Sequence, residues 1–264
     1  MTDLTMRNAG TNALITGGAQ GVGLAVARQL VDEGCKALVL LGRSEDKGRV
    51  AVAELERRGA EAIFVSADLA DPAACLAAVE TGVKRFGSLN ALVNAAASAA
   101  RGSLTETSPE MFDEMFAINV RGPFFLMQGL VKHLLESGQP GSMVNVLSVN
   151  VHGGQSFLSS YSASKGALAT LTKNVANAYR RNRIRCNAVL PGWMDTPGEA
   201  ATQAKFHDAA PDWLAKAEAS APMGQLVKTH EMAGLITYML SPQSGVMTGA
   251  LVDYDQNVPG IIGE

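Results

Sequence analysis

The chain has 264 residues, 47% hydrophobic, 18% charged and only 5% aromatic, which suits one globular α/β domain over 1–264 and excludes a disordered chain. A formal net charge of −3 leaves no basic excess to neutralise phosphates, so a nucleic-acid partner is not expected. Cys35, Cys75 and Cys186 share no disulfide or metal-ligand spacing with each other or with the four histidines, so no metal site is expected.

Met1–Gly10 carries Asp3 and Arg7 and no apolar core of a signal peptide. No apolar run approaches bilayer length, so a cytoplasmic protein without a membrane partner is expected. Apolar runs of strand length at 12–16, 37–41, 62–66, 89–94, 142–147, 185–190 and 251–254 alternate with helical periods at 21–33, 45–58, 72–86, 109–136, 160–181 and 229–240. Asp71-Pro72 and Ser108-Pro109 each read as an N-cap followed by proline at the first helical position. Strands this apolar are buried on both faces, and the alternation implies right-handed βαβ crossovers. The expected fold is a doubly wound, parallel sheet of about seven strands with helices on both faces. The stretch 191–228, with weaker periodicity, reads as an excursion over the carboxyl edge, where such folds bind ligands, with a substrate lid at about 193–225.

The first strand runs into Thr16-Gly17-Gly18-Ala19-Gln20-Gly21-Val22-Gly23, followed by a helix. Glycines there permit a tight turn and close approach to a pyrophosphate, which the free amides and partial positive charge of the helix N-terminus would hold. Gly17, Gln20, Gly21, Val22 and Gly23 are therefore candidates for a Rossmann-type nucleotide site, against the reading of an ordinary strand–helix turn. At the end of the second strand no acid stands at Gly42. Arg43 could grip a 2′-phosphate bidentately and Ser44 add a hydroxyl, favouring NADP, with NAD possible. The alternative is that Arg43 stacks on adenine or caps helix 45–58.

Tyr161-Ser162-Ala163-Ser164-Lys165 opens a helix, and the i, i+4 spacing puts phenol and ammonium on one face. A free phenol titrates near pH ~10, and a nearby cation favours the phenolate. Tyr161 could then exchange a proton with an alcohol or ketone oxygen while hydride moves at the same carbon.

Together the TGxxxGxG loop and the YxxxK pair resemble the short-chain dehydrogenase/reductase family, in its roughly 250-residue branch, over nearly the whole chain. The resemblance implies further residues. Leu92-Val93-Asn94-Ala95-Ala96-Ala97 stands where the family has its NNAG motif, placing Asn94 and Ala95 at the nucleotide, with alanine at 97 in place of glycine. Asp68, with Leu69 beside it, matches the contact to the adenine amine. Asn119 matches the family's helix-kinking asparagine, which supports a water near the lysine. Ser148 lies 13 residues before Tyr161 and would hold the substrate oxygen against it. Asn119, Ser148, Tyr161 and Lys165 complete the family's catalytic tetrad. Pro191-Gly192 and Thr196 match the motif that contacts the nicotinamide carboxamide. The long helices 109–136 and 160–181 match those that pair between subunits, implying a homotetramer, with a dimer as the other possibility.

Substrate recognition falls to the lid and its rim: Trp193, Asp195, His207, Asp212 and Trp213, with His152 and Gln155 beside the fifth strand. Such polar groups suit a polyol or sugar-like substrate. Each also has a plainer reading, Asp212 as a helix cap and Trp213 as packing. Asp253-Tyr254-Asp255-Gln256 replaces the family's VDGG and reads either as polar recognition or as a polar turn. The alternative chemistry is reduction of 3-oxoacyl thioesters, for which Arg101 and Arg121 are the basic residues that could face a carrier protein. A nucleotide sensor with a dead site is disfavoured by the intact tetrad. Sugar-nucleotide epimerases fit poorly, since they usually have a TGxxGxxG loop and a longer C-terminal part.

Overall fold

A computed structural model of the chain describes residues 6–207 and 209–259; Asp3 lies outside them. In chain order the elements are β1 Asn12–Thr16, α1 Gly21–Asp32, β2 Ala37–Gly42, α2 Glu45–Arg57, β3 Glu61–Ser66, α3 Pro72–Phe86, β4 Ala91–Asn94, α4 Pro109–Phe116, α5 Gly122–Ser137, β5 Gly141–Val146, α6 Ser159–Tyr179, β6 Ile184–Pro191, β7 Met194–Asp195, α7 Pro197–Phe206, α8 Trp213–Ser220, β8 Val227–Lys228, α9 Thr229–Leu240 and β9 Leu251–Tyr254. The seven expected strands form one parallel sheet in the order β3-β2-β1-β4-β5-β6-β9.

The period-2 alternation of strands divides the core between two faces. Ile15, Leu38 and Leu40 pack with Val26 and Leu30 of α1 and Ile236 and Met239 of α9. Leu14, Val39 and Leu41 point to the other face, against Val79 of α3, Leu130 of α5 and Ala169 of α6. These strand side chains are at most 1% exposed, each burial contributing about 1.5–3 kcal/mol. β1 pairs with β2 on one side and β4 on the other, so the connections diverge there. That divergence opens a crevice at the carboxyl ends of β1 and β4.

Both expected proline-led helix starts form: Asp71 accepts from the Ala73 amide at 2.8 Å and Ser108 from the Met111 amide at 3.2 Å. Expected and observed element ends otherwise differ by one or two residues. The single helix expected over 109–136 is two helices joined by a π-helical turn, Ala117–Arg121, which carries Asn119. The stretch 193–225 contains two helices and the strand β7, which pairs with β8. Periodicity misses these helices because no residue of α7 is buried, and in α8 only Ala217 is. No described helix is long and apolar enough to cross a membrane.

Candidate active site

The glycine loop sits at the β1–α1 junction. Gly17 has φ +65°, and a Cβ there would stand 3.3 Å from the Ala96 backbone. A Cβ on Gly23 would stand 2.4 Å from the Gly17 carbonyl, so the third glycine lets helix and loop mesh. At Gly21, φ +54°, no atom beyond its chain neighbours and its own helix backbone lies within 4 Å of the missing Cβ, which leaves the mouth of the loop open. Gln20 occupies the N-cap of α1 without capping it, and the amides of Gly21, Val22 and Gly23 meet no protein acceptor among the described residues. Free amides at the start of a 12-residue helix form an anion cradle.

Around the cradle, Arg43 is exposed and makes no side-chain bond among the described residues. Ser44, not Arg43, caps α2, with the Lys47 amide 3.5 Å from its hydroxyl. Lys47, which the sequence reading missed, donates from Nζ to Gln20 Oε1 at 2.7 Å, bringing a second cation to the loop. Its signal was a basic residue in the first turn of the helix that follows Arg43. Asp68 accepts from the Ala70 amide at 2.9 Å, the geometry of a turn residue, and Leu69 is buried beside it. Asn94 donates to Asn145 at 2.8 Å, while its own Oδ1 is buried without a partner. The Ala95 amide donates to Thr16 Oγ1 at 2.9 Å.

Ser148 ends the segment after β5, and its hydroxyl accepts from the Asn150 amide at 3.2 Å. Tyr161 and Lys165 share one face of α6, with Lys165 Nζ 5.6 Å from the Tyr161 ring centroid. Lys165 is buried and donates to the Val146 carbonyl at 2.9 Å. Burial pushes its pKa down to about 8. Burial pushes the Tyr161 phenol above its ordinary value, opposed by the Ser148 hydroxyl and by the charge of Arg101, while Glu199 adds to the rise. The sequence reading expected the ammonium to lower the phenol, but in the bare protein desolvation dominates. Asn119 makes no hydrogen bond to Lys165. It accepts from the Ser98 amide at 2.8 Å and donates to the Ser98 carbonyl at 2.9 Å and to Ser164 Oγ at 3.0 Å. It clamps the segment after β4 to α6.

Most of the rim residues have partners within the protein. Asp195 ion-pairs with Lys228 at 2.9 Å, and the same ammonium holds Glu218 of α8, so Asp195 ties the lid to the start of α9. Trp193 donates to Glu199 at 2.8 Å and lies 6.2 Å from Trp213, ring to ring. Thr196 accepts from the Glu199 amide at 2.9 Å, and Pro197 follows; this Thr-Pro-Gly-Glu start was a legible helix signal that went unread. Asp212 does not cap α8 but pairs with Lys216. His207 packs edge-on against Phe157 at 5.7 Å. Gln155 is exposed with no side-chain bond among the described residues, and His152 pairs with Asp253 at 2.7 Å. Gln256 accepts from the Met223 amide at 2.7 Å and donates to the Gln225 carbonyl at 2.8 Å, so it staples the lid. Pro191 ends β6, and a Cβ on Gly192 would collide with Asp255.

The glycine cradle, the Tyr161–Lys165 face and the lid over the carboxyl edge define an oxidoreductase site of the short-chain dehydrogenase/reductase type. The chain belongs to that family: a family model described as enoyl-(acyl carrier protein) reductase matches residues 17–256. An uncharacterized oxidoreductase of Thermotoga maritima is 35% identical over 93% of this chain and 96% of its own length. A sorbitol dehydrogenase of Cereibacter sphaeroides is 30% identical over 95% of this chain and 98% of its own. Among solved structures, a variant of actinorhodin polyketide ketoreductase with NADPH superposes with a TM-score of 0.89 at 28% identity, covering 96% of this chain and 99% of that one.

Proposed function

We propose that the protein interconverts a secondary alcohol and its ketone with NADP, NAD being the weaker alternative, on a polyol or sugar-like substrate in the cytoplasm. The observation that carries this reading is the Tyr161–Ser148–Lys165 group beside an open glycine cradle. The cradle fits a dinucleotide: free amides at Gly21, Val22 and Gly23 suit a pyrophosphate, and Arg43, Ser44 and Lys47 suit a 2′-phosphate. Asp68 with Leu69, Asn94 with Ala95, and Pro191, Gly192 and Thr196 complete the proposed contacts. When bound, the nicotinamide supplies or accepts the hydride.

Ser148 holds the substrate oxygen, and Tyr161 exchanges a proton with it. The protonated phenol is the form that donates in the reductive direction; burial makes it a weaker acid, and the Ser148 hydroxyl and the charge of Arg101 oppose that shift. Lys165, fixed on the Val146 carbonyl, holds positive charge beside the ring; Asn119 holds the segment around Ser98 in place. His152, Gln155, Trp193 and Asp195 are the proposed substrate contacts. A homotetramer is supported by exposed Phe112, Phe124 and Leu135 on α4 and α5.

A second reading, reduction of 3-oxoacyl thioesters, is favoured by the matching family model and by the ketoreductase superposition. Of its two basic residues, Arg121 is exposed, but Arg101 is half-buried on Phe157 and is a poor docking residue. Nicotinamide absorbance with both nucleotides, over polyols, aldoses, ketoses and 3-oxoacyl thioesters, separates the two. Turnover of hydroxylated substrates with NADP is expected; turnover of thioesters alone would replace the first reading with the second.

A further inference from the structure

Arg101 differs from the other part-buried arginines. Arg7 pairs with Glu33 and also donates to Thr237 and the Gly234 carbonyl. Arg28 holds Glu54 through two bonds, and Arg185 donates to three carbonyls. Arg101 uses only Nη1, on the Ala99 carbonyl at 2.9 Å. Its Nε is buried with no partner, as is that of Arg7, but unlike Arg7 it has no carboxylate within ion-pair distance among the described residues. The guanidinium lies over the Phe157 ring, 5.7 Å from the centroid. With Nη1 engaged, the edge formed by Nε and Nη2 is the free one, and its two parallel N–H groups match the two oxygens of a carboxylate.

The residue is held at the site from both sides. Asn119 clamps Ser98 on one flank. On the other, the Gly102 amide donates to the Phe157 carbonyl at 2.8 Å and the Ser159 amide to the Gly102 carbonyl at 3.2 Å. Arg101 is thereby pinned against the first turn of α6, which carries Tyr161. The charges of Arg101 and Glu199 both act on the Tyr161 phenol, in opposite senses. Glu199 accepts from Trp193 and Gln203 at the same Oε1, leaving Oε2 for a hydroxyl donor.

We propose that Arg101 is a specificity-determining residue that holds a substrate carboxylate through Nε and Nη2 while Glu199 accepts from a hydroxyl of the same molecule, making the substrate a polyhydroxylated acid. This rests on the polyol reading above and narrows it. A phosphate is disfavoured, because one free edge neutralises a dianion poorly and Glu199 would repel it. A thioester carbonyl would leave the guanidinium without a counterion.

The test measures initial rates with NADP and with NAD on aldonates and on alditols of the same chain length, for the wild type, Arg101→Met and Arg101→Lys. The wild type should favour the acids by at least about tenfold in kcat/KM. Arg101→Met should lose about 10- to 100-fold on the acids, mostly through KM, and little on the alditols. Arg101→Lys, which keeps the charge but not the fork, should fall between, and it carries the test if the methionine variant does not fold. Equal wild-type turnover of both series, or an equal loss on both in the variants, would overturn the role of Arg101 and leave the polyol reading standing. No turnover of either series with either nucleotide would overturn that reading and the proposal together.

Discussion

Replacing Lys165 with methionine exchanges a buried ammonium for an unbranched apolar chain in the same slot. Lys165 is 3% exposed, and burial lowers its pKa from 10.5 to about 8. At about 1.4 kcal/mol for each pH unit between those values, the charged form costs the nucleotide-free fold roughly 3 kcal/mol below pH 8. Between pH 8 and 10.5 the unfolded chain binds a proton that the folded chain does not. The contribution of this lysine to stability therefore rises with pH across that window and is flat below it.

Other buried groups oppose it. Burial raises Cys35 and Cys75 to about 11 and Cys186 to about 12, and raises Tyr161, so above pH ~9 these groups destabilise the fold as pH rises. They act alike in both proteins and cancel in the difference. The lost bond to Val146 adds a term that does not vary below pH 8. The expected result from urea unfolding followed by far-UV circular dichroism, at each pH from 7 to 10, is a constant difference up to pH 8. Above that, it should move by about 1.4 kcal/mol per pH unit in favour of the lysine. A difference that stays constant from pH 7 to 10 would refute the argument that burial controls this ammonium.

Tyr161→Phe should lower kcat by about 100-fold or more while nucleotide binding, read by nicotinamide fluorescence, stays unchanged. Arg43→Ala with Lys47→Ala should raise the KM for NADP by about 10- to 100-fold and leave that for NAD nearly unchanged, since both cations are proposed to face the 2′-phosphate, which NAD lacks. Gln256→Ala removes two bonds to lid backbone, about 1 kcal/mol each, and should speed limited proteolysis within 193–225 without lowering the melting temperature of the sheet. Phe124→Glu puts a charge on the exposed face of α5 and should reduce the mass measured by light scattering from that of the proposed tetramer.

The strands were legible because a doubly buried parallel strand is an unbroken apolar run. β1 and β9 form over the residues expected, and Asp71 and Ser108 cap as their spacing implies. The spacing from Tyr161 to Lys165 was legible for the same local reason. What escaped was either weakly amphipathic or distant in sequence. α7 and α8 bury almost nothing, so they leave no period. The partners of Asp195, His152 and Gln256 stand 33, 101 and up to 33 residues away, where no local pattern reaches. The split of the long helix at Ala117–Arg121 is a backbone event that apolar spacing does not record.

Because β9 takes its place beside β6 and the residues just after it hold the lid, the order of synthesis matters. By the time Lys165 has been added to the growing chain, the glycine cradle, Ser148 and Tyr161 have all been made. At that point α7 and α8 do not yet exist. When they appear, Gln256 and Asp253 are still to come, and chain growth at roughly 5–20 residues per second leaves a lag of seconds. During that lag a nascent chain carries a cradle able to hold a nucleotide under an untied cover. Free nucleotide could therefore reach the growing polypeptide before the last staple closes, and stabilise the first half while the second is still being made.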